Sequence, residues 1–215
     1  YRIWNSDGSP AQQCGNGARC VAAWLVRDGA ASAQAGFRLD SPAGPIDVTQ
    51  TSAGEFELAM GVPEFEPARI PFLADAQAAD YVLPTTAGAL RFGAASMGNP
   101  HVVLYMDDVD GTDLATLGPA LQARPEFPEG VNVGIAQVLA PDRIRLRVFE
   151  RGAGETLACG SGACAAVAVG IRQGRLARNV AVELPGGTLQ VAWPTDDAPL
   201  TMAGPVAFVF EGSLC

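Results

Sequence analysis

The 215-residue chain contains no lysine: all 14 of its basic residues are arginine. A Schiff base to pyridoxal phosphate requires a lysine amine, so that chemistry is excluded, and a Walker-type phosphate loop goes with it. A single histidine, His101, rules out a His-rich metal site. No apolar run approaches the ~20 residues that span a bilayer. The net charge is −9 with no basic cluster, which argues against nucleic acid or an anionic membrane as partner. Cysteines are few and irregularly placed, at Cys14, Cys20, Cys159, Cys164 and Cys215. An odd count at such spacing is not a disulfide framework, and a reducing, cytoplasmic compartment is expected. Zinc is a poor reading as well. On a helix Cys20 lies roughly 240° round from Cys14, and Cys164 roughly 140° round from Cys159, so neither pair presents two sulfurs on one face. No metal and no cofactor is expected.

What is present begins with a hydrophobic content of 48%, enough for a sizeable core, and with 25 Gly and 16 Pro, which make the chain turn-rich. Its organising feature is a stretch that occurs twice. Arg2-Ile3-Trp4-Asn5 aligns with Arg147-Val148-Phe149-Glu150, and Cys14-Gly15-Asn16-Gly17-Ala18 with Cys159-Gly160-Ser161-Gly162-Ala163. Each copy reads as a short apolar strand, a glycine-containing loop, a cysteine, Gly-x-Gly and an apolar run of helical character. The echo continues beyond the motif. Residues 184–191 repeat the pattern of 40–48, and Leu200-Thr201-Met202 that of Leu58-Ala59-Met60, so about sixty residues per half are duplicated.

Taken in order, residues 1–5 read as a strand, and a helix after Cys14 ends near Arg27-Asp28-Gly29. Strands follow at 37–39, 45–48 and 55–60, the first two joined by a turn at 41–44. Residues 64–86 are Pro- and Ala-rich with weak periodicity and are taken as a connector. The second half carries strands at 89–95, 102–105, 131–135 and 143–149, with a modest helix at 113–120. In the last of these strands Arg143, Arg145 and Arg147 alternate with Ile144, Leu146 and Val148, a solvated face against an apolar one. A final strand is expected at 206–210. The inferred fold class is α+β, two pseudo-symmetric halves, each a mostly antiparallel sheet wrapped around a central helix. Residues 1–62 with 205–215 form one half and 63–204 the other, and the two helix N-termini are expected to face one another across a cleft.

A cysteine at a helix N-terminus sits among unpaired N–H groups and the positive end of the macrodipole, which favour a thiolate. The Gly-x-Gly beside it offers N–H donors to a carboxylate. Two such sulfurs on opposite sides of one carbon would invert it: one removes a proton as thiolate, the other delivers one as thiol. Cys20 and Cys164 are read as small core residues. Asn132 inside an apolar strand requires partners for its amide.

Asp7-Gly8-Ser9 with Gln13 to Cys20, Met97-Gly98-Asn99-Pro100-His101, Val131-Asn132-Val133 and Glu150 to Thr156 with Ala158 to Gly162 together resemble the diaminopimelate epimerase family. The match runs over essentially the whole chain. It implies the two-domain fold of that family and a cofactor-independent isomerase that interconverts LL- and meso-diaminopimelate in lysine and peptidoglycan precursor biosynthesis. It implies Cys14 and Cys159 as the acid/base pair. Asn5, Gly15 and Asn16, with Asn99, Asn132, Glu150, Arg151, Gly160 and Ser161, would bind substrate, and His101 and Glu150 would adjust the cysteines' ionisation. It also implies a cytoplasmic homodimer. Members normally carry a further strand and a Gly-Asn-Asp-Phe-type segment ahead of the first cysteine unit; this chain starts at Tyr1, so the first half is expected to expose sheet edge and core. Three other readings stand beside this one: a proline racemase or hydroxyproline epimerase of the same two-cysteine superfamily, a thiol-redox protein using Cys14 and Cys159, and a catalytically inactive binding protein of the same fold.

Overall fold

The computed structural model describes residues 1–4, 8, 10–11, 14–42, 44–85 and 88–212. Contacts divide the chain into two units, Tyr1–Ala59 with Ala203–Cys215, and Met60–Met202.

In the first unit β1 (Ile3–Trp4) pairs antiparallel with β2 (Pro10–Ala11). Helix α1 (Gly15–Arg27) follows, and its last turn closes on Asp28, whose N–H reaches Trp24 O. An antiparallel meander comes next: β3 (Phe37–Ser41), β4 (Gly44–Gln50) and β5 (Phe56–Ala59). Alternation does the sorting here. Leu39, Ile46, Val48, Phe56 and Leu58 are buried on one face, and polar residues such as Arg38, Asp47 and Thr49 take the other. Helix α1 lays its small residues Ala18, Ala22 and Ala23 inward and packs on β5.

The second unit opens with a short 3₁₀ turn (Pro67–Arg69), then β6 (Tyr81–Thr85), β7 (Gly88–Ser96), β8 (Pro100–Tyr105), α2 (Leu114–Gln122), β9 (Asn132–Ala140), β10 (Arg143–Glu150), β11 (Gly154–Thr156), α3 (Gly160–Arg172), β12 (Asn179–Leu184) and β13 (Gly187–Ala192). The chain leaves this unit within β14 (Thr201–Gly204). The strands lie in the order β6-β7-β8-β9-β10-β12-β13, with β11 paired to β10. Pairing is antiparallel except for β8 with β9 and β10 with β12, the two places where a helix makes the crossover.

One face of this sheet holds α3, whose run of Ala, Gly and Val is almost wholly buried against β7, β8, β9, β10 and β13. The helix comes so near β7 that a Cβ on Gly93 would overlap Val169. The other face holds α2 and a cluster that includes Phe72, Phe92, Leu104, Leu114, Phe127 and Ile135. Phe72 stacks on Phe127 with centroids 5.0 Å apart and meets Tyr81 edge-on at 4.7 Å.

The structure corrects the sequence reading at four places. The expected connector at 64–86 is part of the core: Phe65, Ile70, Phe72 and Leu83 are buried, and 81–85 is strand β6. Its apolar residues are spaced irregularly because turns, not one periodic element, carry them inward. No strand forms at 206–210; Phe208, Val209 and Phe210 are exposed, Phe210 by 87%, and Arg27 stacks over Phe208 at 4.3 Å. Cys20 is exposed, because α1 buries the face of Ala18 and Ala22 instead, whereas Cys164 is buried as expected. Arg147 is not a solvated residue. Its guanidinium forks onto Glu155 at 2.7 and 3.0 Å and donates to Val109 O and Thr112 O, tying β10 to β11 and to the loop before α2.

Candidate active site

In the second unit the site is built at the N-terminus of α3. Cys159 is the N-cap residue in extended conformation (φ −120°, ψ 108°), so its sulfur lies beside the first turn. Gly162 makes room for it: a Cβ there would stand 3.0 Å from Val148 Cγ2 and 3.2 Å from Cys159 Sγ. Glu150 arrives at the end of β10. Gly152 and Gly154, both at φ +78°, then reverse the chain through a conformation that L side chains rarely adopt. The sulfur, 4% exposed at residue level, donates to Glu150 Oε2 at 3.1 Å, and Thr156 Oγ1 donates to Glu150 Oε1 at 2.5 Å. Burial, and then the Glu150 carboxylate, push the Cys159 thiol far up. The Gly162 amide and the Ser161 hydroxyl act in the opposite sense.

A second layer stands behind Ser161. Its Oγ lies 3.7 Å from Cys159 Sγ, accepts from Asn99 Nδ2 at 3.3 Å, and sits 3.1 Å from His101 Nε2. His101 Nε2 is also 3.0 Å from Asn99 Oδ1, which only accepts, so the hydrogen of the imidazole is on Nε2. Burial, aided by the nearby Arg151 charge, lowers the His101 pKa to about 3, and the ring is neutral. Asn132 is buried with both ends of its amide used: Nδ2 donates to Pro100 O at 3.0 Å and Oδ1 accepts from Arg151 N at 2.8 Å. It ties the start of β8 to the turn after β10. The Arg151 side chain is exposed and donates to Glu129 O at 2.7 Å.

The structure thus gathers Asn99, His101, Asn132, Glu150, Arg151, Cys159, Gly160 and Ser161 around one helix start. Glu150 touches the sulfur directly, and His101 reaches it only through Ser161. Thr156, quoted in the motif but given no role there, is the residue that sequence reasoning passed over. Its signal was a hydroxyl two residues beyond a tight glycine turn, on the strand that returns beside Glu150.

In the first unit the corresponding helix start belongs to Cys14, the N-cap of α1 in the same extended conformation (φ −144°, ψ 98°). Its half-buried sulfur accepts from Gly17 N at 3.4 Å. Gly15 is buried, and Asn16 Oδ1 accepts from Arg19 Nη2 at 2.9 Å. Asn5, the remaining candidate, lies outside the described residues, as do Asp7, Ser9 and Gln13. In both copies a backbone amide of the Gly-x-Gly turn lies beside the sulfur, Gly17 N at Cys14 and Gly162 N at Cys159, and Cys159 in addition donates to Glu150. Among the described residues no three His, Cys, Asp or Glu side chains cluster as metal ligands, and no helix is long and apolar enough to cross a membrane.

Comparison with known proteins gives these helix starts a context. The family Diaminopimelate epimerase matches residues 1–66 and 93–209. The diaminopimelate epimerases of Xanthomonas axonopodis pv. citri and of Xylella fastidiosa are each 55% identical to the chain over 213 residues, 99% of this chain and 75% of theirs. Among solved structures, a hydroxyproline epimerase from Agrobacterium vitis aligns with a TM-score of 0.67 at 18% identity, over 94% of this chain and 66% of that one. A probable proline racemase from Agrobacterium radiobacter aligns at 0.64 and 18%, over 94% and 67%. At such identity the likeness speaks for the shared α+β fold alone. The likeness to the Xanthomonas and Xylella proteins is of another order, 55% identity over a span that takes in both cysteine motifs, and the chain belongs to the diaminopimelate epimerase family.

Proposed function

We propose that this chain is a cofactor-independent isomerase that interconverts LL- and meso-diaminopimelate, with Cys14 and Cys159 as its two acid/base groups. One sulfur, as thiolate, takes the proton from the substrate α-carbon; the electron pair left behind spreads onto the α-carboxylate. The other sulfur, as thiol, returns a proton to the opposite face, and the centre is inverted. The observation that carries this reading is the pair of matching helix starts, each capped by a cysteine whose sulfur has an amide of the Gly-x-Gly turn beside it. Cys159 in addition donates its proton to Glu150, which suits an acid. After proton transfer the Gly162 amide and the Ser161 hydroxyl stand ready for the Cys159 thiolate.

The amide groups of Gly15, Asn16, Gly160 and Ser161 supply donors for a substrate carboxylate. Asn5, Asn99, Asn132, Glu150 and Arg151 complete the proposed contacts to the two amino-acid ends. The 55% identity to diaminopimelate epimerases favours this substrate over a cyclic imino acid. The chemistry needs reduced thiols, and the four cysteines described are free, which supports a cytoplasmic location. A homodimer is proposed from the family resemblance, and light scattering on the purified protein checks it.

The test is deuterium incorporation from solvent at the α-carbon of LL-diaminopimelate, in the parent, Cys14→Ala and Cys159→Ala. Exchange in the parent that is lost or greatly reduced in both variants supports two-base epimerisation. Exchange that survives loss of either cysteine refutes it.

A further inference from the structure

Glu150 has two carboxylate oxygens and the structure uses them separately. Oε2 receives the Cys159 S–H at 3.1 Å, and Oε1 receives the Thr156 hydroxyl. The backbone explains why Thr156 is the residue that reaches it. In the β10–β11 ladder Glu150 stands opposite Gly154 and Val148 opposite Thr156, so Thr156 is the diagonal neighbour of Glu150 on the same face. Gly154 puts no side chain in between. Glu150 itself is only half-buried, and among the described residues Cys159 and Thr156 are the side chains that donate to its carboxylate.

We infer that Thr156 is a positioning residue of the reaction: its hydroxyl holds Glu150 Oε1 and so keeps Oε2 on the sulfur of Cys159. The inference rests on the reading of Cys159 as an acid/base group partnered by Glu150. Without the hydroxyl the carboxylate is free to turn to solvent, and the thiol loses the negative neighbour that retains its proton. The other titratable or charged groups described about this sulfur are His101 on β8, reached through Ser161, and Arg151, whose charge acts on His101. Neither takes the place of Glu150, since His101 is neutral and Arg151 is cationic. Thr156 therefore governs how readily Cys159 parts with its proton while touching neither the sulfur nor the substrate carbon.

The experiment measures the rate at which iodoacetamide alkylates Cys159, followed by mass spectrometry of its peptide at fixed pH. The variants are T156V, T156S, E150Q and T156V/E150Q, each checked for folding by its melting curve. Alkylation follows the thiolate fraction. T156V is expected to raise the rate about tenfold, equivalent to one unit of thiol pKa, and T156S to restore the parent rate. E150Q is expected to raise it similarly, with no further rise in the double variant, because both act through one carboxylate. A raised rate in E150Q with no change in T156V overturns the inference. So does failure of serine to rescue, which would make the effect one of packing, and so do additive effects in the double variant. If E150Q and T156V both leave the rate unchanged, the pairing of Glu150 with Cys159 fails, and the role proposed for Glu150 fails with it.

Discussion

Replacing Gly162 by alanine tests whether the site depends on the space that this glycine leaves. The added Cβ would stand 3.0 Å from Val148 Cγ2, 3.2 Å from Cys159 Sγ and 3.3 Å from Cys159 Cβ. All three contacts are tighter than most packed Cβ contacts, so a neighbour must give way by a few tenths of an ångström. Val148 is 1% exposed in the middle of β10, and Cys159 is the cap itself. Overpacking of this kind costs about 1–3 kcal/mol, against a helix-propensity gain of at most ~1 kcal/mol for Gly→Ala. The net loss is ~0–3 kcal/mol, which lowers the melting temperature by up to ~6–12 °C in a chain of this size. The functional loss is larger in proportion, because the atom that must move is the sulfur. A displacement of a few tenths of an ångström loosens its 3.1 Å contact with Glu150, and misplacement approaching 1 Å is worth ~100-fold in rate. Gly162→Ala is therefore expected to slow α-deuterium exchange tenfold or more while remaining folded. The matching substitution in the other copy, Gly17→Ala, is expected to do less. Its Cβ meets the far end of Ile3, which can rotate, and stands from Cys14 Sγ at an ordinary 3.4 Å. The assay pairs thermal melting with the exchange measurement. A Gly162→Ala protein with parental exchange and melting would refute the reasoning, and so would a greater loss of exchange in Gly17→Ala.

Three further outcomes are expected. The His101 pKa is lowered from 6.5 to about 3 in the folded chain, so between these values the unfolded chain binds the extra proton. Its stabilising contribution is complete above pH 6.5 and falls by up to ~1.4 kcal/mol per pH unit as the pH drops through that window; urea midpoints against pH should show the slope, and His101→Gln should flatten it between pH 6.5 and about 5. Arg147→Lys gives up the two-pronged contact with Glu155 and part of the anchoring to Val109 O and Thr112 O, and is expected to cost about 2 kcal/mol by denaturant titration. Phe72→Ala removes the ring shared by Phe127, Tyr81 and Phe92 and is expected to cost about 3–5 kcal/mol; a loss below ~1 kcal/mol would mean that the 64–86 segment does not belong to the core.

Much of this protein is local and therefore readable along the chain. The duplicated Cys-Gly-x-Gly stretch announces two helix starts, because a residue in extended conformation followed by small residues caps an apolar helix wherever it occurs. The alternation in β3, β4 and β10 announces strands with one buried face, because period two maps directly onto the pleat. The family resemblance, too, resides in short motifs that need no coordinates. The rest depended on what meets what in space. Phe65, Ile70 and Phe72 lie in a segment with no periodicity, and only the aromatic rings that close over them make it core. Cys20 and Cys164 occupy similar places after their cysteines, yet α1 exposes one where the surrounding sheet buries the other. Residues 206–210 have the composition of a strand but pair with nothing among the described residues, since composition supplies apolar side chains and not a neighbour. Glu150 and Thr156 were both visible in one motif, and only the register of β10 against β11 brings a hydroxyl onto one oxygen of that carboxylate and a thiol onto the other. Sequence determined which residues stand at the two helix starts. Tertiary structure decided what their side chains meet, because hydrogen bonding and burial belong to the packed neighbours and not to the order of residues along the chain.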